Sequence, residues 1–478
     1  MTEEHELSQE NAFATAPIGS LIAKFAIPCV ISLVVNGLYN IVDQIFIGNG
    51  VGYLGNSATN VVFPLTILCA ALGVLFGDGA ATYASLKSGQ GNIENAKKGV
   101  SSGILMSVIT AVVLFAVAVI FLKPIVYLFG CTESVEPYAL GYGRIVTIGF
   151  PFVLIGTTLN SIIRADGSPK HAMIALLSGA IFNTIMDPIA IFVFHWGVEG
   201  AALATITGQF ISLIIYLSYL NKWKTFKLVK KDFRLSFQHC KAILPLGISS
   251  FINQMAIVIM TVMINNALTT YGAESAYGAD IPLAAMGITL KVNQIFLFVV
   301  VGIAAGAQPI IGFNLGAKHI GRVMKAFKIC VISAFISAMV AFVAFEFFPM
   351  PIVSLFGAES DLYNDFAVKS FRIFLLFCIF NGFQTVASIF LQAIERPVPA
   401  MILSLSRQIV FFIPAVLILP KFWGIEGVLW AGPVADGLAF ILALTVILFE
   451  IKKLKTLGHE HSTDDIKIRE QLVEELGI

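Results

Sequence analysis

Trp196-Gly-Val-Glu-Gly200 stands directly before an apolar run at about 201–220, and Trp423-Gly-Ile-Glu-Gly427 stands directly before another at about 427–450. Two further pairs keep the register of these pentapeptides. Val126-Tyr-Leu-Phe-Gly130 recurs as Val353-Ser-Leu-Phe-Gly357 at the same offset. Ser168-Pro-Lys-His-Ala-Met-Ile174 aligns with Arg396-Pro-Val-Pro-Ala-Met-Ile402 at an offset longer by a single position. One such match means little, but three in register, each in the same loop of its half, mark a duplication.

What is duplicated is a set of apolar runs. The first half holds them at about 22–47, 57–83, 100–122, 139–163, 171–194 and 201–220. The second holds them at about 242–268, 283–313, 329–348, 369–393, 400–419 and 427–450. Each is near the length of about 20 residues that crosses a bilayer as a helix. Hydrocarbon offers the backbone no hydrogen-bond partner, so runs of this length are helices, and the roughly 10-residue alternation of a membrane barrel is absent from the sequence. The expected fold is an all-α polytopic membrane protein, with twelve transmembrane helices in two pseudo-symmetric six-helix bundles. Six spans per half keep the orientation, so the repeat is parallel, with its pseudo-axis along the membrane normal. The expected boundaries are 1–220 for the first bundle, 221–241 for a linker, 242–455 for the second bundle and 456–478 for a polar tail.

Composition agrees with this class. Hydrophobic residues make up 57% of the chain and charged residues 12%, about half the share of a soluble domain. A net charge of +1 implies no nucleic-acid partner. The six cysteines, Cys29, Cys69, Cys131, Cys240, Cys330 and Cys378, are scattered without a CxxC pair and read as packing residues. Met1–Gln9 is polar and glutamate-rich, unlike the basic start of a cleavable signal, so the first span is expected to stay. Lys and Arg alternate from loop to loop. Loop 6–7 carries Lys222, Lys224, Lys227, Lys230, Lys231, Arg234 and Lys241, whereas loops 1–2, 5–6 and 7–8 carry none. The positive-inside rule then predicts a multi-pass protein of the cell membrane with both termini cytoplasmic.

The sequence has no Walker loop, no HExxH and no GxSxG, so an enzyme is not expected and no cofactor is implied. The informative residues are polar groups inside spans, where a charge near the centre costs about 2.5–3.5 kcal/mol on insertion scales. Span 1 carries Asn36, Asn40 and Asp43 along one helical stripe, with Tyr39 one turn before Asp43. Span 5 carries Asn183 and Asp187 on a common face, span 4 offers Asn160, and span 6 offers Thr205. Converging faces would make an oxygen-rich pocket with two carboxylates, suited to Na⁺ or a shared proton. The alternative is that both aspartates lie near the outer ends of their spans and are solvated, and that the amides and hydroxyls are helix–helix glue. Asp78, Lys291 and Asp436 are further intramembrane charges. Asp436 is a candidate to face a central cavity, Lys291 to line it, to pair with a carboxylate or to snorkel outward, and Met255 and Met260 to supply an adaptable wall. Pro28 removes a backbone hydrogen bond from span 1 and is the expected hinge.

Pro28, the Tyr39-Asn-Ile-Val-Asp43 segment, Asn183…Asp187, the Gly-rich ends of spans 2 and 8 and the duplicated Trp-Gly-x-Glu-Gly loops together resemble the multidrug and toxic compound extrusion (MATE) transporters, over Ile18 to Glu450. More narrowly the chain is similar to the MepA-like bacterial branch. The resemblance implies cation coupling through Asp43, Asn183, Asp187 and Thr205, with Tyr39 and Asn160 in the surrounding network. It implies a monomeric antiporter in the lipid bilayer that expels cationic or amphipathic drugs in exchange for H⁺ or Na⁺. The NorM-like branch carries acidic residues in spans 7 and 10, where this chain has only amides (Asn253, Gln254, Asn265; Asn381, Gln384, Gln392), so coupling in the second bundle is not implied. A flippase for lipid-linked precursors in the same superfamily is the rival. It would need a strongly basic cavity, and the spans offer Lys291, Arg372 and Arg407.

Overall fold

The computed structural model describes residues 13–476, apart from Gly52, Gly130, Thr132, Ser134, Val229, Ala279 and residues 355–360. Met1–Gln9 and parts of the 126–130 and 353–357 repeats therefore lie outside the described residues. The helices of the first half are α1 (Ile18–Val51), α2 (Tyr53–Gly89), α3 (Ile93–Leu128), α4 (Glu136–Ala165), α5 (Pro169–Val193) and α6 (Gly197–Ser218). Those of the second are α7 (Phe237–Ala273), α8 (Asp280–Gly316), α9 (Ile320–Phe347), α10 (Asp361–Phe374), α11 (Cys378–Ala393), α12 (Pro397–Ile418) and α13 (Pro420–Leu476). Among the described residues eleven helices are long and apolar enough to cross a membrane, or twelve if α10 and α11 form one span.

That pair departs from the continuous span expected at 369–393. It is bent by 50° across residues 375–377, where no proline or glycine announces a break. The α13 helix lies directly against the break. Gly432 of α13 packs so closely that a Cβ there would stand 2.8 Å from the Phe374 carbonyl oxygen. The α13 helix also runs past the expected end of the second bundle, through the segment 456–476.

In the first bundle α2 packs on α4, α4 on α6, and α1 on α5; in the second α8 packs on α9, and α11 on α13. The bundles meet through α1 against α8 and α2 against α7. Glycines permit this meeting. A Cβ on Gly247 would stand 1.8 Å from Leu75 O, and one on Gly302 would stand 2.7 Å from Val30 Cα. Those two contacts are related by the duplication, which pairs α1 with α7 (Pro28/Pro245, Ser32/Ser249, Asn36/Asn253) and α2 with α8 (Gly79/Gly306, Gly89/Gly316). Gly79 against Ile243 likewise mirrors Gly306 against Ala26, and Gly89 against Phe313 mirrors Gly316 against Leu86. All these contacts lie toward the end of the molecule that carries the basic loops, called here the basic end. Without hydrophobic driving force between helices in lipid, close backbone approach at small residues is the main source of packing energy.

The segment joining the bundles is tied down, and its last residues are already helical in α7. Asp166, fully buried at the end of α4, accepts the Tyr219 hydroxyl at 2.7 Å and the backbone amides of Lys224 at 2.7 Å, Thr225 at 2.8 Å and Phe226 at 3.0 Å. Trp223 and Phe226 are buried in the first bundle's core beside Tyr219. A cysteine at exposed Ala276, between α7 and α8, should react with an impermeant thiol reagent from outside intact cells, and one at exposed Lys231 should not. The native cysteines are buried and give little background. Reversed labelling would overturn the expected orientation.

Candidate functional site

The α5 and α6 helices touch at two glycines. A Cβ on Gly179 would stand 2.4 Å from Gly208 O, and a Cβ on Gly208 would stand 2.6 Å from Gly179 O. Because the backbones meet there, the side chains one turn on reach each other. Asn183, 2% exposed, donates from Nδ2 to Thr205 Oγ1 of α6 at 3.2 Å. The same nitrogen donates to Asp187 Oδ1 at 3.0 Å, a bond that follows from the i, i+4 spacing on α5. Asp187 has no exposed surface. From the other side α1, which packs along α5, brings Asp43 close enough for its charge to be felt by Asp187. Gly50 holds this end of α1 against α5, since a Cβ on it would overlap Ile191 Cγ2 at 2.1 Å.

Three oxygens of this cluster are left over. Asp43 Oδ1, Asp187 Oδ2 and Asn183 Oδ1 are buried and have no hydrogen-bond partner among the described residues. An unpartnered buried acceptor costs about 1–3 kcal/mol, more when charged, so three together mark a place built to take something else. The donors are two carboxyls, an amide and a hydroxyl, all hard oxygen ligands. Among the described residues no three His, Cys, Asp or Glu side chains come together. Tyr39 of α1 lies close enough to feel the charge of both aspartates, and so does Tyr142 of α4. Tyr142 also packs on the small apolar cluster of Ile47, Ile191, Val198 and Ala201. It was not anticipated, although a tyrosine between Gly141 and Gly143 in an apolar run is a readable signal.

The other candidates lie elsewhere. Asn160 donates to the Tyr216 hydroxyl at 2.9 Å, within the α4–α6 contact. Asn40 is exposed and turns back to Asn36 O at 2.6 Å. Lys291 is exposed on α8, with no hydrogen bond or ion pair among the described residues. Met255 is half-buried, whereas Met260 is packed in the core of the second bundle. Pro28 sits inside α1, which continues through it as one helix. Asp436 is buried and occupied: Arg407 Nε of α12 lies 2.5 Å from its Oδ1, and Arg407 also donates to Gln408 Oε1 at 3.0 Å. The offset that carries Ser168 onto Arg396 also carries Gly179 onto Arg407, and the offset of the Trp-Gly-x-Glu-Gly pentapeptides carries Gly208 onto Ala435, the residue before Asp436. Where α5 of the first bundle carries Gly179, the second thus carries one half of an ion pair, Arg407, on a widened π-helical stretch, Ser406–Phe411.

The family described as MatE matches residues 28–189 and 245–417 of the chain. Multidrug export protein MepA of Staphylococcus aureus (strain MSSA476) is 24% identical over 440 residues, 91% of this chain and 94% of that one. MepA of Staphylococcus haemolyticus (strain JCSC1435) is 25% identical over 442 residues, with the same coverage. Among solved structures, a MATE protein in complex with MaL6 superposes with a TM-score of 0.87 at 22% identity, covering 93% of this chain and 99% of that one.

The Gly179–Gly208 contact makes a prediction about the pocket. Gly208→Val should drive α5 from α6, cost about 1–3 kcal/mol of stability by overpacking and lower the melting temperature of the purified protein. Gly437→Ala, whose Cβ would meet Phe377 at an ordinary 3.5 Å, should leave it unchanged. Equal melting temperatures for the two variants would mean that the glycine contact does not set the α5–α6 spacing.

Proposed function

Because the chain belongs to the MatE family, we propose that it is a multidrug efflux transporter that exports small cationic or amphipathic molecules in exchange for an inward-moving cation, H⁺ or Na⁺. Asp43 and Asp187 are the exchange site, and the ends of the chain are cytoplasmic. The observation that carries this reading is that α1 and α5, packed together, gather Asp43 Oδ1, Asp187 Oδ2 and Asn183 Oδ1, which are buried and unpartnered among the described residues. The relatives' name, multidrug export protein, supports the substrate class.

Two carboxylates that share a poorly solvated pocket repel each other, and a proton or a sodium ion between them relieves the repulsion. Thr205 and Asn183 supply neutral oxygens to such an ion, and Tyr39 and Tyr142 limit the approach of water. Asp43 is on α1 and Asp187 on α5, so a bound cation draws the two helices together. Pro28 leaves one missing backbone hydrogen bond in α1, where the helix bends at low cost. Binding from outside then favours the state that has released drug, and discharge to the cytoplasm resets the cycle. The buried Arg407–Asp436 pair balances its own charge, which supports the reading that the second bundle serves substrate binding and support.

Asp43→Asn and Asp187→Asn should each reduce gradient-driven ethidium efflux close to background with expression unchanged. Thr205→Ala and Asn183→Ala should weaken it, since they remove neutral oxygens only. Normal pumping by both aspartate variants would remove the site from the mechanism. Pro28→Ala should slow efflux and leave membrane insertion intact; wild-type turnover would exclude the hinge.

A further inference from the structure

The bundles are joined at the basic end by more than glycine contacts. Asp78 of α2, in the first bundle, accepts hydrogen bonds on both carboxylate oxygens. Ser161 Oγ of α4 donates to Oδ1 at 2.7 Å, and Ser250 Oγ of α7, in the second bundle, lies 3.0 Å from Oδ2. Ser250 is held in turn by Gln392 of α11, whose Nε2 stands 2.9 Å from Ser250 Oγ and donates to Leu246 O at 2.8 Å. Behind Asp78 stands Arg164, with Nη2 2.9 Å from Ser161 Oγ and 3.7 Å from Asp78 Oδ1. One turn further along α2, Gln308 Nε2 of α8 donates to Thr82 Oγ1 at 2.9 Å, a second polar tie across the same seam.

The glycine contacts of the seam are two-fold related, but this clasp is not, nor is the Thr82–Gln308 tie, whose counterparts are Pro309 and Ala81. The duplication places Ala305 where Asp78 would recur and Leu33 where Ser250 would recur. A carboxylate is costly inside a span and is not needed for the packing, because the related side of the same interface is built without one. We infer that Asp78 is the gate residue of the basic end, a carboxylate shared between the bundles while that end is closed and returned to Arg164 and Ser161 when it opens.

The partners fit such a transfer. Separating the bundles breaks Asp78–Ser250 and Thr82–Gln308, whereas Ser161 and Arg164 stay with Asp78 in the first bundle. The carboxylate is therefore never without a donor or a counter-charge, and the open state remains accessible. Ser250 likewise keeps Gln392. Each half of the clasp has a partner in its own bundle to fall back on, as a reversible contact requires. This inference rests on the exchange cycle proposed above, in which the protein opens alternately to the two sides of the membrane, and its test uses no drug and no gradient, so the two fail separately.

Spin labels at exposed Lys98 (Lys98→Cys, α3) and Lys328 (Lys328→Cys, α9) report the separation of the bundles at the basic end by double electron–electron resonance in lipid. The unsubstituted gate should give one dominant short distance. Asp78→Asn and Ser250→Ala should each raise the ratio of the long-distance to the short-distance population about tenfold, as loss of a charge-assisted bond implies. The double variant should add little to either, because both changes remove the same bond. Ala305→Ser, at the two-fold-related position, should leave the distribution as it was. If Asp78→Asn is not monodisperse, Ser250→Ala alone decides. A wild-type distribution for monodisperse Ser250→Ala, or an equal shift from Ala305→Ser, would overturn the assignment.

Discussion

Inside a bilayer a polar atom has no water to bond, so its partners must come from the protein or from what the protein carries. The rest of this molecule can be sorted by how that constraint is met. Most intramembrane hydroxyls are satisfied within their own helix, as Ser32 is by Pro28 O at 2.7 Å and Thr147 by Gly143 O at 2.7 Å. Asp436 is satisfied by Arg407, and Asp78 by donors from both bundles. The cluster of Asp43, Asp187 and Asn183 is different, because it gathers three buried oxygens and leaves them open. That contrast, more than the presence of acidic residues, is what singles out the first bundle.

Duplication supplies the frame, and the two halves have diverged where chemistry is concerned. The duplication sets Gly179 of one bundle against Arg407 of the other, whose partner Asp436 directly follows Ala435, the counterpart of Gly208. Bare backbone allows the first pair of helices to close, which brings Thr205 to Asn183. A guanidinium–carboxylate pair holds the second crossing with its own charge balanced. At the seam between bundles the apolar contacts obey the internal two-fold, whereas the Asp78 clasp breaks it. A buried ion pair is weak support for stability in general, but it fixes geometry. In this protein the asymmetric polar groups are therefore read as parts of a cycle added to a symmetric scaffold.

The spans, their number and the duplication were legible because length and apolarity are local properties of the sequence. The shared face of Asn183 and Asp187 was legible for the same reason, since helical periodicity alone decides it. Contacts between distant segments were not. Nothing near Asn160 signals that its amide turns to Tyr216, and the sequence does not pair Asp436 with Arg407 on another helix. Asp78 was noted as an intramembrane charge among glycines, but its partners come from α4 and α7 and need the assembled seam. The break at 375–377 was missed because Leu375, Leu376 and Phe377 carry no proline or glycine signal, and the close approach of Gly432 beside it belongs to another helix. The glycines were visible in the sequence; what each one admits was not.

The central claim is that one cation site, in the first bundle, exchanges for exported substrate. It is tested most directly by measuring substrate and cation fluxes together in proteoliposomes of the purified protein, with H⁺ and Na⁺ gradients imposed separately. The account predicts that substrate moves against an opposing flux of one of these ions in a fixed ratio, and that Asp187→Asn abolishes both fluxes together. Substrate movement without any counter-movement of H⁺ or Na⁺, or coupled exchange that persists in Asp187→Asn, would contradict it.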